Sequence, residues 1–197
     1  MFHLRTLSVP VVLLAAPLAA QSTGTPVFQA PYRAFATSEL GLSLSDPGSG
    51  FALEGSWRTG LSERSDIGLR AGLRDRRNTT ALLVGGDYRM RVLDHNDSFP
   101  LDGSFTLGLG FASGDGVTVG YLPIGFSMGR RILVEGSQVS LVPYLHPVLT
   151  PTFGDSDDLG FSLGFGLDAR VTPRLDVRFS AAFGDQDGIA FTAAWLR

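Results

Sequence analysis

The sequence predicts an all-β fold, a closed antiparallel up-and-down transmembrane β-barrel of ten strands, with eight strands as the alternative. Three observations predict it. Apolar residues alternate with small or charged residues along nearly the whole chain, which is the period of a strand with two unlike faces. Only a few residues join one alternating run to the next, and short connections favour antiparallel neighbours. The polar face is unusually rich in glycine, with 25 glycines in 197 residues.

The alternating runs give the strands in order. They cover 39–45, 51–58, 66–74, 82–92, 102–111, 117–131, 139–150, 159–171, 175–183 and 189–197. The run at 117–131 changes phase near Pro123, which predicts a β-bulge or an edge irregularity. The run at 139–150 contains or borders three prolines. If this run and the first one do not both pair, the barrel has eight strands.

The clearest pair of strands lies between Leu159 and Phe183. Apolar residues occupy every second position from Leu159 to Val171, against glycine, serine and charged residues. Thr172-Pro173-Arg174 then turns the chain, because proline presets its own φ and cannot donate a ladder hydrogen bond. The alternation resumes at Leu175. This stretch therefore predicts one hairpin with an apolar wall and a small, charged wall.

Two arguments place the apolar wall outside. Leucine and phenylalanine dominate it on nearly every strand, and the interior of a barrel of about eight to ten strands has little room for such bulk. Glycine weakens a strand without any gain on an open polar face, but it suits a crowded inner wall. The alternative, a soluble exported β-sandwich or barrel that binds an apolar ligand, turns the apolar wall inward.

Composition excludes several classes of function. The chain has no cysteine, which excludes disulfides, thiol nucleophiles and thiolate metal sites. Its basic residues are all arginine, and the net charge of −3 gives no basic surface for nucleic acid. Nothing in the composition marks a boundary between two folded domains.

The N-terminus predicts export. Residues 1–20 combine one early arginine, an apolar run from Leu7 to Ala19 and a small-residue exit before Gln21, which together indicate a signal peptide. The apolar run is shorter than the ~20 residues of a membrane-spanning helix and contains two prolines. Residues 21–33 are polar and rich in proline and are interpreted as a leader, and residues 34–197 as the barrel domain.

Taken together, the chain resembles the small outer-membrane β-barrel, porin-like proteins of bacteria. The resemblance covers 34–197 and lies in the signal peptide, the alternation in FSLGFGLDARV, the turn and strand in TPRLDVRFS, and the final strand FTAAWLR. Members of this family commonly end on an aromatic residue, whereas here Leu196 and Arg197 follow Trp195. The resemblance implies an outer-membrane location, lipid contact, and periplasmic chaperones and barrel-insertion machinery as partners during assembly.

A closed barrel with both ends of its chain on the periplasmic side orders the connections. Those at 46–50, 75–79, 112–116, 151–158 and 184–188 are then expected outside, and those at 59–65, 94–100, 132–138 and 172–174 in the periplasm. Trp57, Tyr88 and Trp195 lie towards the periplasmic ends of their strands, where an interfacial aromatic girdle is expected. Isolated aromatic residues in a core are the alternative.

The inward wall is expected to carry equal numbers of acids and bases. They are Glu39, Glu54, Asp66, Asp87, Asp102, Asp168 and Asp176 with Arg58, Arg70, Arg74, Arg89, Arg91, Arg170 and Arg178. Because an unpaired buried charge is costly, this balance predicts a paired and largely occluded lumen. A narrow passive channel for small solutes or ions is the alternative.

Signals for other chemistry are weak. His95 and His146 are the only histidines after residue 20, and no serine, histidine and acid spacing indicates a catalytic site, so we expect no enzyme and no cofactor. Five loop carboxylates, Asp155, Asp157, Asp158, Asp185 and Asp187, could together bind Ca²⁺; acidic solvated loops are the simpler interpretation. The expected function is a structural or envelope-associated role for a monomeric barrel.

Overall fold

The computed structural model describes residues 22–31, 37–48, 50–76 and 79–197. The predicted signal peptide at 1–20 lies outside the described residues, as do Gln21 and the last two residues of the predicted leader. All strands fall within the described ranges. They are β1 Glu39–Asp46, β2 Phe51–Ser62, β3 Ser65–Arg76, β4 Thr79–Leu93, β5 Asp102–Gly114, β6 Val117–Tyr121, β7 Ile124–Gly129, β8 Ile132–Leu133, β9 Ser140–Gly154, β10 Asp158–Thr172, β11 Leu175–Gly184 and β12 Gly188–Leu196.

These segments form one closed antiparallel barrel. Each long strand pairs with the next in the chain, and β12 returns to pair with β1, with Phe191 opposite Leu44. β6, β7 and β8 follow one another along the edge of β9, and β6 and β7 also pair with β5. The three segments therefore form one interrupted strand of the barrel. With these three segments counted as one, the barrel has ten strands, which confirms the predicted number. We call the end where β1 begins and β12 ends the terminal end, and the other the far end.

The irregularity predicted near Pro123 is an interruption of the strand between Tyr121 and Ile124 and not a β-bulge. β5 keeps one register across the interruption, with Gly110 opposite Tyr121 and Phe105 opposite Phe126, so no residue is inserted. Tyr121 instead points inward, where it packs with an apolar cluster at the far end formed by Ala52, Leu83, Ala112 and Val119. The apparent change of phase arises because β6 carries apolar side chains on its inner face.

Strands extend further than their apolar alternation predicts. The expected connections at 59–65, 112–116 and 151–158 are largely strand, since β2 reaches Ser62, β5 reaches Gly114 and β9 reaches Gly154. Each of these ends carries at most one large apolar side chain, Leu61 in β2 and Phe153 in β9. The period of two is then invisible in the sequence, although the backbone ladder continues.

The apolar wall lies outside. Leu69 is 54% exposed beside Arg70 at 5%, and Phe191 is 54% exposed beside Thr192 at 6%. This overturns the alternative of a soluble fold with the apolar wall inside. The described part of the chain contains no helix with the length and apolar character needed to span a bilayer.

Candidate functional site

The lumen contains part of the chain itself. Residues 22–31, here called the plug segment, precede β1 and are buried inside the barrel, with Ser22, Thr23, Thr25, Phe28 and Ala30 each at most 1% exposed. The sequence predicts a leader at these residues but does not predict that the leader lies inside the barrel. The lumen is therefore the candidate functional site.

The plug segment runs lengthwise through the lumen. Ala30 lies near the terminal end, where its carbonyl accepts a hydrogen bond from Arg89 at 2.7 Å. Thr25 lies nearer the far end, where its hydroxyl donates to Glu54 at 2.6 Å. From there the chain turns back, and Ser22 packs against the inner wall of β4 and β5.

Wall side chains hold the plug mostly by its backbone. Three plug carbonyls accept hydrogen bonds, Ala30 O from Arg89 Nη1, Gln29 O from Ser127 Oγ at 2.9 Å and Pro26 O from Ser180 Oγ at 2.6 Å. Phe28 N also donates to Ser180 Oγ at 3.3 Å. Backbone groups buried in a lumen must find such partners, because an unsatisfied one costs about 1–3 kcal/mol.

Glycines on the inner wall make room for the plug. A β carbon at Gly110 would lie 1.5 Å from Ser22 O, and one at Gly164 would lie 2.6 Å from the Phe28 ring. Either side chain would overlap the plug. The crowding inferred from the glycine-rich face is thus partly crowding by the plug segment itself.

One ion-pair network joins three neighbouring strands to the plug. Arg58 on β2 pairs with Asp66 on β3 and Asp87 on β4, and Asp66 also pairs with Arg89 on β4. The Arg89 side chain is fully buried, and its other contact is the plug carbonyl of Ala30. Because these charges are out of water, each depends on its partners.

A second network lies across β10, β11 and β1. Arg178 donates to Glu39 at 2.7 and 3.1 Å and lies 3.4 Å from Asp168 and 3.5 Å from Asp176. Arg170 pairs with Asp176 at 2.8 Å. Both networks lie towards the terminal end, since Glu39 begins β1 and the turn after Thr172 joins β10 to β11.

The remaining predicted lumen residues lie apart from these networks. Glu54 binds Thr25 of the plug, and Arg91 pairs with Asp94 in the connection after β4. Asp102 is buried and contacts His95, whose Nδ1 is 3.1 Å away. Arg70 is buried with its Nη1 unpaired among the described residues, and Arg74 is half-buried.

His146 is buried in the lumen beside the plug segment. Its Nε2 is 3.0 Å from Thr106 Oγ1, and its ring meets Phe28 edge to face with centroids 5.4 Å apart. Its Nδ1 has no hydrogen-bond partner among the described residues. Among the described residues no carboxylate is hydrogen-bonded to the ring.

The acidic connections do not form a cluster. In the described ranges no group of three or more histidine, aspartate or glutamate side chains is placed to hold a metal ion. Several of the five predicted carboxylates accept backbone amides instead. Asp155 accepts from Thr118 N, Asp185 from Phe161 N and Asp158 from Leu159 N.

The predicted aromatic residues lie on the outer wall. Trp57 and Trp195 are 42% and 49% exposed and stand opposite Leu40 on its two sides, so they lie at one level near the terminal end. Tyr88 is half-buried opposite Ile67. Sequence reasoning missed Ser127 and Ser180, which also hold the plug, because a lone serine carries no pattern.

Comparison with known proteins gives structural likeness at low identity. No protein-family model and no curated protein matches the sequence. The N-terminal β-barrel domain of Pseudomonas aeruginosa OprF is 9% identical at a TM-score of 0.41, over 84% of this chain and 100% of that one. The β domain of the Bordetella autotransporter BrkA is 14% identical at 0.49, over 81% and 97%. A de novo designed transmembrane β-barrel is 14% identical at 0.41, over 82% and 96%.

Proposed function

We propose that this protein is a monomeric outer-membrane β-barrel with a structural or envelope-associated role and a lumen closed by its own plug segment. The observation that carries the proposal is the burial of residues 22–31 inside the barrel. An open channel needs a continuous aqueous path through its lumen, and here a stretch of polypeptide lies along that path. No reaction is assigned to the lumen.

The outer surface supports a membrane location. Large apolar side chains stay exposed on every long strand, and a soluble protein rarely leaves so much contiguous apolar surface in water. The sheet closes on itself where β12 pairs with β1, as lipid requires. Most of the long strands reach or exceed the ~9–11 residues of a transmembrane strand. Outer-membrane lipid and the barrel-assembly factors implied by the family resemblance are the proposed partners.

Fractionation tests the location. The protein should need detergent for extraction from the outer-membrane fraction, and an unheated sample should migrate differently on a gel from a boiled one. Recovery in the soluble fraction without detergent would contradict the proposal.

Recording in planar lipid bilayers tests the closed lumen. We expect the purified wild-type protein to show no steady conductance, and a variant that lacks residues 22–31 to conduct. A second variant, with residues 22–31 replaced by a Gly-Ser stretch of equal length, separates the effect of chain bulk from that of the plug side chains. Steady conductance of the wild-type protein would overturn the proposal.

A gated channel is the second candidate function. The observation that favours it is that the plug contacts named above are hydrogen bonds and packing without a covalent link to the wall. Intermittent openings of the wild-type protein that the plug deletion converts to steady ones would favour this function over a structural role.

A further inference from the structure

Three prolines weaken one seam of the barrel. Pro143, Pro147 and Pro151 stand four residues apart on β9. Alternate residues of an antiparallel strand direct their N–H and C=O groups to the same neighbour, so all three prolines face one side. Leu122 N donates to Pro151 O at 3.0 Å, which shows that the prolines face the interrupted strand of β6 and β7. Because proline has no N–H, this seam lacks a donor at three places.

The pairing pattern agrees with this. β9 pairs with β10 without interruption along thirteen consecutive residues, from Thr152 to Ser140. Across the seam with β7 the pairs break around Pro147, between Ile124 opposite Leu149 and Met128 opposite Leu145. The two edges of β9 therefore differ in their hydrogen bonding, although they lie at the same depth in the barrel.

The lumen behind this seam is partly apolar, although the polar side chains of Ser127, His146 and Thr150 also face it. Neither β7 nor β9 contains an aspartate, glutamate, lysine or arginine. Phe28 of the plug lies here in a buried cluster, here called the Phe28 pocket, with Ala30, Val142, Tyr144, Val148 and Ala182. Gly164 completes its floor, since a β carbon there would overlap the Phe28 ring. One plug side chain thus fills an apolar space in a lumen otherwise lined largely by polar groups.

A groove lies over the same seam on the outer wall. Its volume is about 290 Å³, and its lining includes Phe105, Ile124, Phe126, Pro147, Leu149 and Phe161. The lining also includes Gly125 and Val148, whose side chains face inward, so the groove reaches the backbone of β7 and β9. In a bilayer the molecules that contact this apolar surface are lipid acyl chains.

We propose that the Phe28 pocket binds a single lipid acyl chain, which passes laterally from the bilayer through the seam between β7 and β9 when the Phe28 side chain leaves. Three observations support this passage. They are the missing hydrogen-bond donors along the seam, the groove on the outer wall and the apolar pocket in the lumen. A slender hydrocarbon chain suits both spaces. The inference rests on the proposed membrane location and goes beyond a structural barrel.

Photolabelling in phosphatidylcholine vesicles tests it, with a palmitate analogue that carries a mid-chain diazirine as the probe. In the wild-type protein we expect labelling only at outward residues such as Leu145 and Phe191. In Phe28→Ala we expect additional labelling at Val142 or Val148, because the pocket is vacant. A disulfide between Ile124→Cys and Leu149→Cys joins β7 to β9 and should abolish the additional labelling. No competing disulfide can form, because the chain has no other cysteine.

The matched control is a disulfide between Ser43→Cys and Thr192→Cys, which lie opposite each other across the closed β1–β12 seam. It should leave the additional labelling unchanged. Lateral access would be overturned if Phe28→Ala showed no labelling at Val142 or Val148. It would also be overturned if the β7–β9 disulfide left that labelling unchanged. A protein outside the membrane would instead lose the outward labelling at Phe191 as well, which separates failure of the inference from failure of the proposed location.

Amide exchange of the wild-type protein tests the seam without any variant. The amides of Leu145 and Leu149 face β7, whereas those of Tyr144 and Val148 face β10 on the same strand. We expect the first pair to exchange at least about tenfold faster, because a weaker seam opens more often. Equal rates would contradict a weak seam.

Discussion

The two sides of the lumen are built on different principles. Along β2, β3 and β4 the inner wall carries Arg58, Asp66, Asp87 and Arg89, which are joined in one network. Along β7 and β9 the wall carries no charge, and Phe28 of the plug fills the space between its side chains. The charged side binds the plug through hydrogen bonds, from Arg89 to the Ala30 carbonyl and from Thr25 to Glu54, whereas the apolar side holds it largely by packing.

The difference between the charged and the apolar side indicates which part of the barrel can move. A buried charge that loses its partner has no substitute inside the lumen, so the charged side must stay assembled. An apolar side chain that leaves its pocket can be replaced by any other apolar group of similar shape. The charged side therefore fixes the barrel and one end of the plug, and the apolar side is the place where exchange with lipid costs least.

Loss of Asp66 should have the largest effect. Asp66 is the shared partner of Arg58 and Arg89, so Asp66→Asn removes a charge that both buried guanidinium groups bind and leaves Arg58 with Asp87. We expect the free energy of unfolding, measured by urea titration in lipid vesicles, to fall by about 3–5 kcal/mol. Asp157→Asn, in an exposed connection, is the control and should change it by less than about 0.5 kcal/mol. Similar values for the two variants would show that the charged side does not fix the barrel.

A bulky residue at Gly164 should have an intermediate effect and should act on the plug. Gly164→Val places atoms where the Phe28 ring lies, and overpacking of this kind costs about 1–3 kcal/mol. We expect the plug to be displaced, and conductance in planar bilayers to appear while the barrel remains folded.

The matched control for this variant is Gly55→Val. Gly55 lies on the outer wall, with the nearest recorded atom 4.0 Å from an added β carbon, and valine favours a strand. Its stability should match or slightly exceed that of the wild-type protein, with no conductance. A closed, stable Gly164→Val variant would show that Phe28 is not packed tightly against β10.

The barrel could be predicted from the sequence because its signal is local. A strand with an exposed apolar face on one side and a crowded lumen on the other repeats the same contrast at each pair of positions, as Leu69 and Arg70 show. The prediction is less exact where that contrast vanishes. At Tyr121 the inner wall is apolar, so the alternation predicts a bulge or an edge irregularity at Pro123, where the structure has an interrupted strand in constant register.

The plug could not be predicted in the same way. Its carbonyls accept hydrogen bonds from Ser127 and Ser180, which lie about 100 and 150 residues away in the chain, so no spacing in the sequence reveals them. One indirect signal existed. The glycines at 110 and 164 exceed what a charge-lined wall requires, and the structure shows that they face Ser22 and Phe28.

The smallest expected effect lies outside both sides of the lumen, in the connection after β4. Hydrogen bonds from Arg91 hold the pKa of the Asp94 carboxyl below its usual range against a small desolvation, and Arg64 adds to the shift. A carboxyl whose pKa is lower in the folded protein stabilises it above its unfolded pKa of about 4, and this contribution disappears as the pH falls through the folded pKa. The pair is exposed, so Asp94→Asn should cost no more than about 1 kcal/mol at pH 7. Urea titrations of both proteins from neutral to acidic pH should show the difference closing as the solution becomes acidic. A difference that stays constant down to the lowest pH would mean that the Asp94 charge adds nothing, and that at this end the fixed charges are those of the lumen alone.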